Sequence, residues 1–510
     1  MEIIWSTVLT VWGWLLDHLL YINLAFSIII IFFQRRDPRS VWTWLLALYF
    51  IPVFGIVFYL LFGQDMKKSR MFRVKEVSDR LNLPVKSQED IIRSDDMPEE
   101  MMDSMSRDFK SLIIYNLETS GSVLTVNNQV QIYTDGQAKF EALRNALRQA
   151  RRFIHIQYYI IKNDELFDSI VPILLDKVRE GVEVRILCDG MGGRFMPKKR
   201  WDQMRRAGIK VGVFFPPFLG WLNLRVNYRN HRKIVVVDGA AGFVGGFNIG
   251  REYISRDPKF GYWRDTHLEI KGEAAISLQI RFALDWNYVT GENLFKEIRY
   301  FGEEAEYARR RLNGRIHAVW PDPEHVSEMV CMQIITSGPD TREPHIRNNY
   351  LELFHKAKHH IYIQTPYFIP DDAIFSSLKI AALSGVDVRL MIPCKPDHPF
   401  VYWATCSYAG ELLDYGARVY VYENGFLHSK GIMVDGRVSC YGTANMDIRS
   451  FELNFEVNAT IYDEDVTGQL EEAFMNDLPH CREITREEYG DRNLWMRIKE
   501  QSSRLLSPLL

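Results

Sequence analysis

The sequence predicts an α/β protein built from two duplicated domains, each a largely parallel or mixed sheet flanked by helices, preceded by two transmembrane helices. Three observations predict it: an uncharged apolar run over residues 41–62, a strand-helix-strand pattern that occurs twice, and a His-x-Lys-x4-Asp motif that occurs twice.

The run 41–62 is long enough to cross a hydrocarbon core as a helix. The stretch 11–33 is apolar too, but its Asp17 and His18 are costly at mid-membrane and cheaper near the edge. A cleaved signal peptide fits less well, because no basic segment precedes the run and no small-residue cleavage site follows it. Lys67, Lys68, Arg70, Arg73 and Lys75 after the second span outnumber Arg35, Arg36 and Arg39 between the spans, which places the rest of the chain on the cytoplasmic side. The expected location is a bacterial cell membrane, multi-pass, with cytoplasmic catalytic domains.

At 510 residues the chain has room for two or three domains. Its net charge of −3, from 62 basic and 65 acidic side chains, gives no global basic field and argues against a nucleic-acid partner. Cys188, Cys331, Cys394, Cys406, Cys440 and Cys481 lack C-x-x-C spacing, which excludes a dense disulfide framework and fits a reducing compartment. The expected division is a membrane anchor over 1–65, a charged linker with some helix over 66–120, and domains over 121–320 and 321–510.

The duplication is legible in echoes. Phe153-Ile-His-Ile-Gln157 is matched by His360-Ile-Tyr-Ile-Gln364, and Gly181-Val-Glu-Val-Arg-Ile-Leu187 by Gly385-Val-Asp-Val-Arg-Leu-Met391. Between them, residues 166–180 and 373–384 have helical apolar spacing, and each Gly sits at a helix C-terminus. Such alternation implies βαβ units.

The first motif is His231-Arg-Lys233-Ile-Val-Val-Val-Asp238, followed by Gly245-Gly-Phe-Asn248; the second is His428-Ser-Lys430-Gly-Ile-Met-Val-Asp435, followed by Gly442-Thr-Ala-Asn445. Every interval is the same in both copies, so chance repetition is no rival to duplication. Residues two apart on a strand share a face, so each His and its Lys point into one pocket. The Asp-Gly pairs read as hairpin turns, and parity turns each Asp away from its His, toward an architectural role.

A phosphodiester is anionic and its transition state more so; Lys233, Lys430, Asn248 and Asn445 are the expected donors to its oxygens. One neutral imidazole attacks phosphorus while a second, protonated, serves the leaving alkoxide, which explains two copies. Asp265 and Glu456, at comparable places downstream, are the candidate acceptors that orient the rings. Nothing in the pattern requires a metal or other cofactor, and His155, His359 and His360 are unassigned.

On these motifs the chain resembles the phospholipase D superfamily and, within it, the bacterial cardiolipin synthases. Gln34-Arg-Arg-Asp-Pro38, Asn227-Tyr-Arg-Asn-His231, Gly245-Gly-Phe-Asn-Ile-Gly250, Lys395-Pro-Asp-His-Pro-Phe400 and the terminal Arg504-Leu-Leu-Ser-Pro-Leu-Leu510 carry the resemblance along nearly the whole length. It implies two phospholipase D-like domains and transfer of a phosphatidyl group between two phosphatidylglycerol molecules, through a phosphatidyl-histidine, releasing glycerol. With it go His231 as nucleophile, His428 as acid and then base, membrane lipids as partners, and room for a homo-oligomer. The same residues would serve a phospholipase D or a phosphatidylserine synthase; a lipid-binding scaffold without catalysis is the reading both complete motifs oppose. Phe214-Phe-Pro-Pro-Phe-Leu-Gly-Trp-Leu222 and Phe400-Val-Tyr-Trp403 are candidate apolar contacts with lipid, or else core-covering segments.

Overall fold

β-Branched and aromatic runs bounded by Gly and Asp form the strands, and apolar stripes at helical spacing form the helices that cover them. The computed structural model describes residues 14, 17–33, 38–53, 55, 56, 59, 109–216, 228–301 and 330–507. Its strands begin with β1 (Leu124–Thr125), β2 (Asn128–Asp135), β3 (Phe153–Tyr158), β4 (Glu183–Asp189), β5 (Lys210–Phe214), β6 (Arg229–Asn230), β7 (Ile234–Val237), β8 (Ala241–Gly245) and β9 (Trp263–Gly272). The second half adds β10 (Cys331–Ser337), β11 (His360–Gln364), β12 (Phe368–Ile369), β13 (Asp387–Pro393), β14 (Arg418–Tyr422), β15 (Phe426–Leu427), β16 (Gly431–Val434), β17 (Val438–Gly442), β18 (Met446–Asp447), β19 (Asn454–Tyr462) and β20 (Cys481–Ile484).

Both halves follow one plan. The order β9-β8-β7-β3-β4-β5 in the first sheet is repeated as β19-β17-β16-β11-β13-β14 in the second. Within each half the βαβ strands run parallel, β3-β4-β5 and β11-β13-β14, while the motif hairpins β7-β8 and β16-β17 join antiparallel, so the sheets are mixed. The crossover helices are Glu165–Arg179, capped by Asp164, and Asp372–Leu383, capped by Asp371. Gly181 (φ 86°) and Gly385 (φ 93°) end them in the left-handed conformation, as expected of C-terminal glycines.

One apolar layer lies between the halves. Ile234, Val244 and Leu268 of the first sheet share it with Met433, Val457 and Ile461 of the second, and the helices Glu273–Thr290 and Glu464–Asp477 contribute Phe282, Trp286 and Phe474. Each sheet has a further layer under its own crossover helices. Residues 110–120, expected as the end of a linker, form a helix whose Leu112, Ile113 and Leu117 pack in the second half's core, and β1 pairs with β10. A contact across more than two hundred residues of sequence is invisible to local patterning.

Near the N-terminus, helices Leu19–Phe33 and Pro38–Phe50 pack through Ile30, Trp44 and Leu48, and Asn23 donates to the Leu48 carbonyl at 2.8 Å. Among the described residues no helix is long and apolar enough to cross a membrane. The expected spans 11–33 and 41–62 extend outside the described residues, as does most of the expected linker.

Candidate active site

The two halves exchange strands at the motifs. β6 pairs in parallel with the start of β19, and β15 with the start of β9. The pairing runs on one residue further: His231 N–H donates to the Phe455 carbonyl at 2.9 Å, and His428 N–H to the Arg264 carbonyl at 2.7 Å. The next residue on each borrowed strand is a carboxylate. Glu456 of the second half therefore meets His231 of the first, with Nδ1 2.9 and 3.0 Å from its two oxygens. Asp265 of the first half meets His428 of the second, with Nδ1 2.6 Å from Oδ2. Each candidate acceptor orients the other half's ring.

His-x-Lys precedes β7 and β16 rather than lying within them, because these residues bond across the halves instead of along their own sheet. The two-residue parity still holds. Lys233 Nζ donates to the His231 carbonyl at 2.7 Å and Lys430 Nζ to that of His428, both lysines being fully buried; Lys430 Nζ also stands 2.8 Å from His428 Nδ1.

Nδ1–H directed at a carboxylate leaves Nε2 of each ring for chemistry. Burial lowers both imidazole pKa values, that of His428 to about 4 with help from Lys430 and against the pull of Asp265. Burial lowers Lys233 well below the usual lysine range and Lys430 to about 8. Burial alone would raise Asp265 and Glu456, yet Lys430 and His428 pull the first down and His231 and Lys233 the second, so both stay ionised. Lys430 depresses His231 and Lys233 depresses His428, so the two pairs share one field.

Asp238 and Asp435 are elsewhere. With φ 54° and 55°, followed by Gly239 and Gly436 at 72° and 65°, they make the turns of hairpins with both central residues left-handed. Asp238 accepts from the backbone N–H groups of Arg151, Arg152 and Phe153 at 2.7 to 2.8 Å, and Asp435 from those of Lys358, His359 and His360 over the same range. They tie each motif hairpin to the start of its sheet's central strand and touch neither ring, so within the catalytic motif their part is the architectural one that strand parity predicts.

The expected phosphate donors Asn248 and Asn445 are partly engaged too. Asn248 accepts from Ile160 N–H at 3.1 Å and donates to the Tyr253 hydroxyl at 3.0 Å. The Asn445 side chain donates to Asp447. Each amide then keeps one N–H beyond these bonds.

Sequence reasoning missed a supporting layer. Gln157 donates to Asp285 at 2.8 Å and Gln364 to Asp477 at 2.9 Å; Asp285 grips Arg232 at 2.7 and 2.8 Å, and Asp477 holds Arg264 at 2.9 and 3.1 Å. The echoed Gln was the available signal. Rings line the histidines, Tyr159 at 5.1 Å from His231 and Trp263 at 5.0 Å from His428. His155, by contrast, is a buried structural residue held by Gln279 at 3.0 Å. Phe214 and Phe215, which open the aromatic stretch before the first motif, are buried; residues 217–227, including Phe218 and Trp221, lie outside the described residues.

A duplicated α/β unit presenting two His-Lys pairs in one site is the architecture of phospholipase D-like proteins. The chain matches the family described as cardiolipin synthase, PLD-like domain, over residues 143–266 and 350–478, and the phospholipase D-nuclease N-terminal family over 22–64. It is 45% identical over 506 residues to the major cardiolipin synthase of Bacillus subtilis, covering 97% of this chain and 99% of that one. It is 46% identical over 491 residues to a cardiolipin synthase of Staphylococcus aureus, covering 96% and 95%. The crystal structure of a phosphatidylserine synthase from Haemophilus influenzae shares the fold, with TM-score 0.56 at 17% identity over 75% of this chain and 92% of that one. The chain belongs to the cardiolipin synthase family of the phospholipase D superfamily.

Proposed function

We propose that the protein joins two phosphatidylglycerol molecules into cardiolipin and glycerol. His231 Nε2 attacks the phosphorus of the first lipid, the bond to the glycerol oxygen breaks, and that oxygen takes a proton from His428. The phosphatidyl group then rests on His231. A hydroxyl of a second phosphatidylglycerol gives its proton to His428 and attacks the same phosphorus, and the bond to Nε2 breaks. Lys233 and Lys430 hold the non-bridging oxygens throughout.

The observation that carries this reading is the exchange of carboxylates, which gives each ring its own anionic partner within one site. The shorter contact, at His428, suits the ring that must become imidazolium. Burial keeps both rings neutral at rest; as the phosphodiester anion enters, its charge favours protonation and His428 Nε2 takes a proton from water, the second lipid's hydroxyl restoring it at the end of the cycle.

The apolar residues exposed on the two N-terminal helices, among them Leu20, Phe32, Trp42 and Phe50, support two membrane-spanning segments, and the excess of Lys and Arg over 67–75 supports catalytic halves on the cytoplasmic face. Protease added outside intact cells should leave those halves uncut; cleavage there would reverse the topology. Purified protein given labelled phosphatidylglycerol should yield cardiolipin plus free glycerol by thin-layer analysis. Phosphatidic acid as the main product would mean hydrolysis, and a requirement for serine would mean a different acceptor.

A further inference from the structure

We propose that the helix Leu494–Leu505, with the first turn of the helix Pro399–Leu413, forms a bilayer-docking surface that lies on anionic lipid beside the active site, as a second membrane contact besides the N-terminal segment. This rests on the lipid reading of the site.

The helix Leu494–Leu505 is inside out. An amphipathic helix on a globular protein turns its apolar stripe to the core. Here the core-facing positions are Glu500 (1% exposed) and Ser503, whereas Leu494, Trp495 and Leu505 are 73%, 69% and 82% exposed, with Ile498 between them. Glu500 is neutralised where it enters, by Arg492 at 2.7 Å. Three large exposed side chains on one helix mark an interaction surface rather than a solvated face.

Charge and position name the occupant. From Arg492 to Leu506 the sole acid is the buried Glu500, while Arg497, Lys499 and Arg504 stay near the surface. Trp and Leu flanked by Arg and Lys are the composition of a helix lying in an anionic lipid interface. Lys499 sits over the ring of Trp403 at 5.1 Å, and Arg504 pairs with Glu411 at 2.6 Å, so the helix packs along Pro399–Leu413. One turn before Trp403 stands Phe400, 59% exposed. Just ahead of it Asp397 takes the hydroxyl of the half-buried Tyr367, and its charge acts on Lys430. The surface lies beside the site, since Phe368 N–H donates to Thr405 Oγ1 of the helix Pro399–Leu413 at 3.0 Å and β12 pairs with β18 next to Asn445, where a lipid headgroup must arrive without its acyl chains leaving the bilayer.

The test uses the full chain in phosphatidylglycerol vesicles with Trp495→benzoylphenylalanine, irradiated and analysed by mass spectrometry. The expected product is a lipid adduct; a crosslink to a second copy or to another segment of the chain, or no crosslink, would overturn the proposal. A kinetic arm uses Leu494→Ser/Trp495→Ser/Leu505→Ser. It should lose roughly tenfold or more in kcat/KM on vesicles, since each side chain removes a buried apolar contact with lipid, and nothing on dispersed short-chain phosphatidylglycerol. Unchanged rates on both substrates, or equal losses on both, would also overturn it. Crosslinking reads docking without reference to product, so absence of cardiolipin from the parent protein would sink the function and leave docking standing.

Discussion

The two halves share a fold plan and a motif spacing, yet they differ where each supports a histidine. In the first, Gly246 stands where the second has Thr443. A Cβ at Gly246 would lie 1.8 Å from Asp265 Oδ1, so glycine there lets Asp265 come close enough to reach His428. Thr443 does the reverse: its hydroxyl donates to Glu456 Oε2 at 2.6 Å, and Asn454 donates to Oε1 at 3.1 Å. Glu456 takes side-chain donors from Thr443 and Asn454 while it holds His231, whereas Asp265, which accepts from Thr266 N–H at 2.8 Å and Trp263 Nε1–H at 3.4 Å, meets His428 at 2.6 Å with Lys430 alongside. The two carboxylates thus sit in different surroundings, which fits the proposed division of labour between the rings.

The largest effects should come from the rings. His231→Ala should lower cardiolipin formation by four orders of magnitude or more, about the cost of removing a covalent nucleophile. His428→Ala should match it with phosphatidylglycerol but recover much of the first step when a p-nitrophenyl ester, which needs no proton, replaces the glycerol headgroup. Equal loss with both donors would erase the proposed division. Next come the exchanged partners. Glu456→Gln should slow formation of the covalent intermediate, a first-half defect from a second-half residue, and Asp265→Asn should slow leaving-group departure, each on the order of 10³-fold as expected for a ring that loses its orienting carboxylate. Rapid-quench kinetics on the two donors separates them.

Gly246→Ala should cost about 10²-fold through displacement of Asp265, and Thr443→Ala about tenfold through a looser Glu456. The reverse ranking would say that packing, not the carboxylate, distinguishes the halves. On pH, Lys430 is charged below and neutral above about 8, so kcat/KM should fall with rising pH beyond that point, by up to tenfold per unit. In Lys430→Arg, whose guanidinium stays protonated, that fall should vanish whatever rate remains. The smallest effect on turnover belongs to Asp238→Asn and Asp435→Asn. Asn tolerates the left-handed turn but weakens three backbone contacts, so each should lose about 1–2 kcal/mol of stability in chemical denaturation with kcat of the folded fraction nearly unchanged.

Much of this was legible in the sequence because duplication wrote it twice. The intervals from His to Lys, Asp, Gly and Asn locate both motifs, and strand parity alone assigns Asp238 and Asp435 to architecture. The identity of each ring's partner was not legible. Asp265 follows His231 along the chain, but it reaches His428, because the pairing of β15 with β9 is a contact between halves. A mixed sheet was among the expectations, but which neighbour each motif hairpin joins was not legible for the same reason. Asn248 and Asn445 looked like phosphate donors because an amide's other partners, Ile160 N–H and Asp447 among them, are set by loops with no periodic signal.

The most direct test is to quench the wild-type protein during turnover of labelled phosphatidylglycerol and map the covalent lipid by peptide mass spectrometry. The account predicts a phosphatidyl group on the peptide containing His231, and more of it in Asp265→Asn supplied with the p-nitrophenyl donor than in Glu456→Gln. A phosphatidyl group on His428, or an equal share on both rings, would contradict it.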